Sequence, residues 1–136
     1  MPDTASVLHF TVTDDLSGEG TLVLEADAFG DPTAPPVILL HGGGQTRHSW
    51  GGAARALAQS GWYAVAVDMR GHGTSSRSPT GHYEPGRFAE DLVEIAAGFE
   101  RSPVVVGASL GGLAALLAEG ILAPGLFAAI ILVDIT

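Results

Sequence analysis

Two stretches near the start of the chain alternate polar and apolar residues, as half-buried strands do. They cover Ser6–Thr13 and residues 21–26, and the segment between them is rich in Asp, Gly and Ser. Alternation with a period of two on both sides of such a turn predicts a β-hairpin. We therefore expect the fold to begin with an antiparallel pair of strands.

After a Pro-rich link at residues 31–36, the pattern changes to short runs that are apolar throughout. Runs of strand length that are apolar on both faces are typical of parallel strands covered by helices. Four such runs occur, at residues 37–40, 63–67, 104–106 and 128–133.

Helical stretches separate these runs. They lie at residues 48–59, 85–99 and 110–122, and Ser60-Gly61 and Pro124-Gly125 end the first and the last of them. Alternation of strand and helix predicts an α/β fold of three layers, with a mostly parallel sheet behind the N-terminal hairpin. Ligands of such sheets bind beyond the carboxyl ends of the strands, so chemistry is expected just after residues 40, 67, 106 and 133.

Composition narrows the classes of function. The 136 residues suit one domain, and a net charge of −9 from 6 basic and 15 acidic residues argues against binding to nucleic acid. No cysteine is present, and the five histidines are scattered without ligand spacing, so we expect neither a metal site nor a cofactor. The start of the chain has no signal-peptide pattern and no run could span a bilayer, which favours a soluble, cytoplasmic protein without a membrane partner.

The residues with the clearest chemical signal follow the run at 104–106. Gly107-Ala108-Ser109-Leu110-Gly111 matches G-x-S-x-G, in which the serine lies on a sharp turn between a strand and a helix and needs small neighbours two residues away on each side. The apolar helix predicted after Ser109 supplies the structural context. Ser109 is therefore the candidate nucleophile.

An acyl-transfer nucleophile needs donors for the oxyanion that develops on the substrate. The Leu110 amide opens a helix, where unpaired N–H groups favour negative charge. The second donor is expected in the glycine-rich loop at residues 41–45, with Gly43 preferred and Gly44 next. The alternative is that this loop is only a flexible turn.

A third polar segment, residues 68–75, follows the run at 63–67. Asp68 and Arg70 are predicted to pair across this turn in a structural role. His72 is a weaker candidate for a catalytic base, because it precedes Ser109 in the chain. His41 is expected to orient its own loop through a ring hydrogen bond.

Taken together, these segments resemble the α/β-hydrolase superfamily, in particular its esterase, lactonase, epoxide-hydrolase and cofactor-free haloperoxidase branch. The matching pieces are His41-Gly42-Gly43-Gly44, the segment 68–75, the elbow at 107–112 and Leu132-Val133-Asp134. Epoxide hydrolases of this family carry Asp at the elbow, so Ser109 favours ester chemistry through an acyl-enzyme. The resemblance implies a neutral small-molecule ester or lactone as substrate, and does not separate an esterase from a haloperoxidase.

The family's triad follows the order Ser, acid, His, and no histidine follows Ser109 in this sequence. Asp134, just past the last run, is the candidate acid. We therefore expect residues 1–136 to be the N-terminal, nucleophile-bearing part of a single, truncated α/β-hydrolase domain, inactive without the rest. The run at 128–133 would then pair with a complementary C-terminal segment or a second copy.

The sequence also allows two other interpretations of its function. One is a non-catalytic α/β module that binds a ligand or a partner chain through its open edge. The other is a nucleotide-binding domain, although the glycine loop lacks the third glycine of G-x-G-x-x-G and no P-loop sequence is present.

Overall fold

The computed structural model describes residues 4–14, 18 and 20–133. After an initial two-stranded hairpin, four strands alternate with three α-helices among the described residues, which confirms the predicted α/β class. In chain order they are β1 (Ser6–Thr13), β2 (Thr21–Phe29), β3 (Pro36–Leu40), α1 (Gly51–Gln59), β4 (Tyr63–Val67), α2 (Pro85–Ala97), β5 (Val104–Ala108), α3 (Leu110–Leu117) and β6 (Ala129–Val133).

One mixed sheet contains all six strands in the order β1-β2-β4-β3-β5-β6. The hairpin strands are antiparallel to each other, and β2 is antiparallel to β4. The strands β4, β3, β5 and β6 are parallel, as their continuous apolar runs predict. The carboxyl ends of these four strands therefore meet at one edge of the sheet.

Helices cover the two faces of the sheet unequally. On one face α1 packs on the alanines and aliphatic residues of β3 and β4 around Leu39 and Ala66. On the other face α2 and α3 pack on a larger core that includes Ile38, Val65 and Val105. Every residue of β3 is buried because both of its faces are covered.

Several boundaries differ from the pattern-based prediction, most of them by one or two residues, and the larger differences are at three places. The second strand continues to Phe29, because residues 26–29 pair with β4, which alternation within one strand cannot reveal. A short 3-10 turn, Arg47–Trp50, precedes α1. The helix after Ser109 changes at its end to a π-helical turn, Ala118–Leu122, closed by the bond from Ala123 N–H to the Ala118 carbonyl. None of the helices among the described residues is long and apolar enough to cross a membrane.

Candidate active site

Ser109 lies on a strained turn between β5 and α3. Its φ of 51° and ψ of −112° make it the one non-glycine residue with positive φ in the described part of the chain. Such a conformation costs free energy and persists where the surroundings enforce it, often at functional sites. The Ser109 N–H donates to the Val133 carbonyl at 3.1 Å, and its side chain is exposed. The turn therefore presents the hydroxyl at the carboxyl edge of the sheet.

The two glycines of the elbow allow backbone segments to touch. A Cβ on Gly107 would lie 2.5 Å from the Gly111 carbonyl oxygen, and a Cβ on Gly111 would lie 2.6 Å from Leu40 Cβ and from the Leu40 carbonyl oxygen. Contacts this short exclude any side chain. The spacing in the sequence thus reflects close packing of α3 against β5 and β3.

The glycine loop after β3 lies directly beside the elbow. A Cβ on Gly42 would lie 3.4 Å from Ser109 Cβ, and one on Gly43 would lie 3.8 Å from Leu110 Cδ2. Neither the Gly43 N–H nor the Leu110 N–H has a hydrogen-bond partner among the described residues. Two backbone donors without a partner among the described residues therefore lie on the two segments that contact each other beside Ser109.

His41 fixes the peptide that carries the Gly43 N–H. Its Nδ1–H donates to the Gly42 carbonyl at 2.8 Å, and its Nε2 accepts from the Met69 N–H at 3.0 Å. The C=O and N–H of one trans peptide point in opposite directions, so holding the Gly42 carbonyl also sets the direction of the Gly43 N–H. The expected loop-orienting role of His41 is confirmed.

Both bonds of His41 require a neutral ring with its proton on Nδ1. The side chain is completely buried, and this burial lowers the pKa of His41 below its ordinary value. The Gln45 side chain adds a further restraint, since its Oε1 accepts from the Gly42 N–H at 3.0 Å. Nothing in the sequence pattern singles out Gln45 for this contact.

None of the five histidines, all of which the structure describes, forms a hydrogen bond with Ser109 Oγ. His41 and His72 bond backbone groups, His9 contacts Glu25, His48 lies 3.8 Å from Asp27, and His82 contacts Thr80. His72 is therefore not placed as the base of Ser109 in this arrangement.

The predicted pairing of Asp68 with Arg70 is wrong. Asp68 instead accepts hydrogen bonds from the Arg47 N–H and from Arg47 Nη1, both at 2.6 Å, and from the Thr74 N–H at 3.1 Å. Burial opposes ionisation of Asp68, but these hydrogen bonds and the Arg47 charge hold its pKa below the ordinary value. Asp68 and Arg47 follow adjacent parallel strands, so the strand order, had it been known, would have indicated the true partner.

Arg70 turns away from Asp68 toward α2. It forms a bidentate ion pair with Asp91, and all five of its N–H groups donate, the other three to the carbonyls of Thr13, Asp14 and His82. Burial raises the pKa of Asp91 to about 6, against the opposing charge of Arg70. The structural role predicted for the segment 68–75 is thereby confirmed, with different partners.

Comparisons of the sequence and fold with known proteins identify the family of the chain. The model of the family described as alpha/beta hydrolase fold matches residues 35–136. The chain belongs to the α/β-hydrolase family. It is 43% identical over 108 residues to the esterase Rv0045c of Mycobacterium tuberculosis and 41% identical over 80 residues to epoxide hydrolase A of the same organism. Among solved structures, an α/β-hydrolase from Novosphingobium aromaticivorans superposes with a TM-score of 0.78 at 30% identity.

These matches cover much of the chain and less of each relative. The esterase alignment covers 76% of this chain and 34% of the esterase, and the epoxide hydrolase alignment covers 58% and 24%. The Novosphingobium structure covers 94% of this chain, which covers 43% of that structure. The chain thus spans about a third or less of the curated α/β-hydrolases it matches.

Asp134, the predicted acid, lies outside the described residues. The preceding residue, Val133, ends β6 and accepts the Ser109 N–H, so the chain leaves the sheet next to the elbow of this α/β-hydrolase fold. A groove of about 460 Å³ lies at the opposite edge of the sheet, between Phe10, Tyr63 and Phe99. That groove is remote from Ser109 and supplies nothing to the elbow.

In the described part of the chain, no three His, Asp or Glu side chains are grouped to hold a metal ion.

Proposed function

We propose that this α/β-hydrolase chain carries the nucleophile and the oxyanion hole of a serine hydrolase that acts on carboxylic esters or lactones. Ser109 Oγ attacks the carbonyl carbon of the substrate and gives its proton to a general base, and the carbonyl oxygen takes the negative charge. The Gly43 and Leu110 N–H groups donate to that oxygen. The bond to the alcohol oxygen breaks as the base returns the proton to it, and water activated by the same base then hydrolyses the acyl-enzyme.

The observation that supports this proposal is the pair of unpaired amides beside an exposed, strained serine. A backbone N–H that is buried or at the rim of a site normally has a hydrogen-bond partner, and leaving it without one costs free energy. Here two donors, one on the glycine loop and one at the start of α3, have no partner among the described residues and lie on segments that contact each other beside Ser109. Donors of this kind would stabilise the oxyanion of a tetrahedral intermediate.

The general base is proposed to come from outside the 136 residues. A serine hydroxyl needs a base within hydrogen-bond reach, and each of the five histidines is engaged elsewhere. A complementary segment of chain that adds to β6, or a second copy, would bring an imidazole to Ser109. The chain alone is then expected to turn over slowly, because loss of the base removes most of a triad's rate.

A neutral substrate suits the charge of the chain. With 15 acidic and 6 basic residues, and with Arg47 and Arg70 buried in ion pairs, the chain offers no field that attracts anions. The esterase relative is consistent with such a substrate. The epoxide hydrolase relatives raise the alternative of epoxide opening, against which stands a serine at the nucleophile position.

A chimera tests the proposal. The 136 residues would replace the matching part of esterase Rv0045c, and hydrolysis of p-nitrophenyl acetate would be measured for the chimera and for its Ser109→Ala and Ser102→Ala variants. We expect activity that falls at least a thousandfold in Ser109→Ala and is unchanged in Ser102→Ala. A folded chimera whose Ser109→Ala variant is equally active would refute the role of Ser109, and a folded chimera without activity would favour a non-catalytic module.

A further inference from the structure

His72 joins the glycine loop to the loop that follows β4. Its Nε2 accepts a hydrogen bond from the Gly44 N–H at 3.0 Å, and its Nδ1–H donates to the Arg70 carbonyl at 2.9 Å. A backbone N–H can only donate and a carbonyl can only accept, so the ring must be neutral with its proton on Nδ1. His72 thus ties together two segments that are 28 residues apart in the chain.

Two histidines hold two consecutive peptides of the loop. His41 binds the carbonyl of the Gly42–Gly43 peptide, and His72 binds the N–H of the Gly43–Gly44 peptide. The centroids of the two imidazole rings are 4.8 Å apart, so the two side chains that hold the loop lie next to each other. The donor at Gly43 lies between these two fixed points, although three adjacent glycines would otherwise allow many loop conformations.

We propose that His72 is a positioning residue, whose unprotonated Nε2 holds the glycine loop so that the Gly43 N–H stays unpaired beside Leu110. The role in catalysis rests on the proposed function, whereas the hold on the loop does not. A side chain without an acceptor at this position cannot bond the Gly44 N–H, so the loop then loses this attachment.

The groups around His72 allow the loss of its hydrogen bond to Gly44 to be measured apart from other changes. The titratable group facing its ring is His41, and α2 contributes the uncharged Phe88 ring at 6.3 Å. On its own loop, Asp68 and Arg70 are held in ion pairs with Arg47 and Asp91. These ion pairs do not involve His72, so a variant at this position leaves them in place.

The test compares His72→Gln with His72→Leu. The Gln side chain can place an oxygen acceptor near the Nε2 position and does not titrate, while Leu fills space against Phe88 and accepts nothing. Hydrogen exchange of the Gly44 amide is measured by NMR on the ¹⁵N-labelled chain at pH 8, with circular dichroism to check folding.

We expect a protected Gly44 amide in the wild type at pH 8, with exchange at least tenfold faster in His72→Leu and near wild type in His72→Gln. Equal protection in folded His72→Leu and wild type overturns the inference. If His72→Leu does not fold, an unprotected Gly44 amide in the folded wild type overturns it.

A second readout separates this inference from the proposed function. In the chimera with esterase Rv0045c, the rate at which a p-nitrophenyl phosphonate labels Ser109 is expected to fall about tenfold in His72→Leu and to recover in His72→Gln. Labelling at equal rates in all three proteins overturns the catalytic part of the inference and leaves the proposed function standing. Absence of labelling in all three refutes the proposed function, and the Gly44 exchange still decides whether His72 holds the loop.

Discussion

Single residues determine whether the two loops of the site can approach each other. Gly107 and Gly111 leave room for backbone contact, and Ser109 accepts a conformation that few side chains adopt. These requirements were predictable from the sequence, because the elbow's spacing is a local pattern. The contact of Gln45 with Gly42 was not, since glutamine in a loop has no distinctive signal.

Gly111→Ala tests the close contact at the elbow. The added Cβ would lie 2.6 Å from Leu40 Cβ, so α3 must move away from β3, and we expect a loss of about 1–3 kcal/mol in the free energy of unfolding. Gly52→Ala in α1 is the matched control, because its Cβ meets nothing within 4 Å and alanine favours a helix. Urea denaturation measures both. Equal stability of the two variants would contradict the packing described.

The neutral state of His41 predicts a dependence of stability on pH. Its pKa is lowered in the folded chain, so below the ordinary histidine value of about 6.5 the unfolded chain binds more protons. The stability from His41 is therefore complete above that pH and is lost as the pH falls below it. Melting temperatures of the wild type and His41→Gln from pH 8 to pH 5 give the difference, which should shrink on acidification. A difference that is constant over this range would show that His41 does not titrate in this way.

At the scale of elements, buried arginines attach the loops to the sheet and helices. Arg47 connects the 3-10 turn to Asp68 after β4, and Arg70 connects the end of β1 to α2. The order of the strands along the chain and their approximate bounds were predictable from the periodicity of apolar residues. The partners of these arginines did not, because they depend on how α2 and the hairpin pack in three dimensions.

Arg70→Met is expected to cost about 3–5 kcal/mol of unfolding free energy, because it leaves Asp91 and three carbonyls buried without their partner. Adding Asp91→Leu should restore part of this loss, since the unpaired carboxyl is removed with it. Arg101→Met, at an exposed position, is the control and should change stability by less than about 0.5 kcal/mol. Guanidinium titrations would measure all three. An Arg70→Met variant as stable as Arg101→Met would show that the buried network contributes little.

At the scale of the whole molecule, one edge of the sheet is only partly covered. The strand β6 is at the edge of the sheet and pairs only with β5 among the described residues, while Ile131 is 51% exposed and Val133 is 36% exposed. Leu113 and Leu116 on α3 add to this apolar surface. The sequence predicted an open hydrophobic edge at this strand, and it cannot say which chain covers it.

We expect the chain to self-associate through this edge as its concentration rises. Exposed, hydrophobic edge strands pair with other chains, and a lysine on the edge prevents such pairing. Ile131→Lys should therefore shift sedimentation toward monomer, whereas Val7→Lys, an exposed valine on β1 at the far edge, should not. Equal association of the wild type and Ile131→Lys would rule out β6 as the contact.

The proposal that Ser109 is the nucleophile is tested most directly on the chimera with esterase Rv0045c, which restores the part of the fold proposed to carry the base. The measurement is the site of covalent modification after the purified chimera reacts with a p-nitrophenyl phosphonate, determined by peptide mass spectrometry. We expect an adduct at Ser109, because the Gly43 and Leu110 amides stabilise the charged oxygen. Exposed serines such as Ser60 and Ser102 should stay unmodified. Modification spread equally over these serines, or none at Ser109, would contradict it.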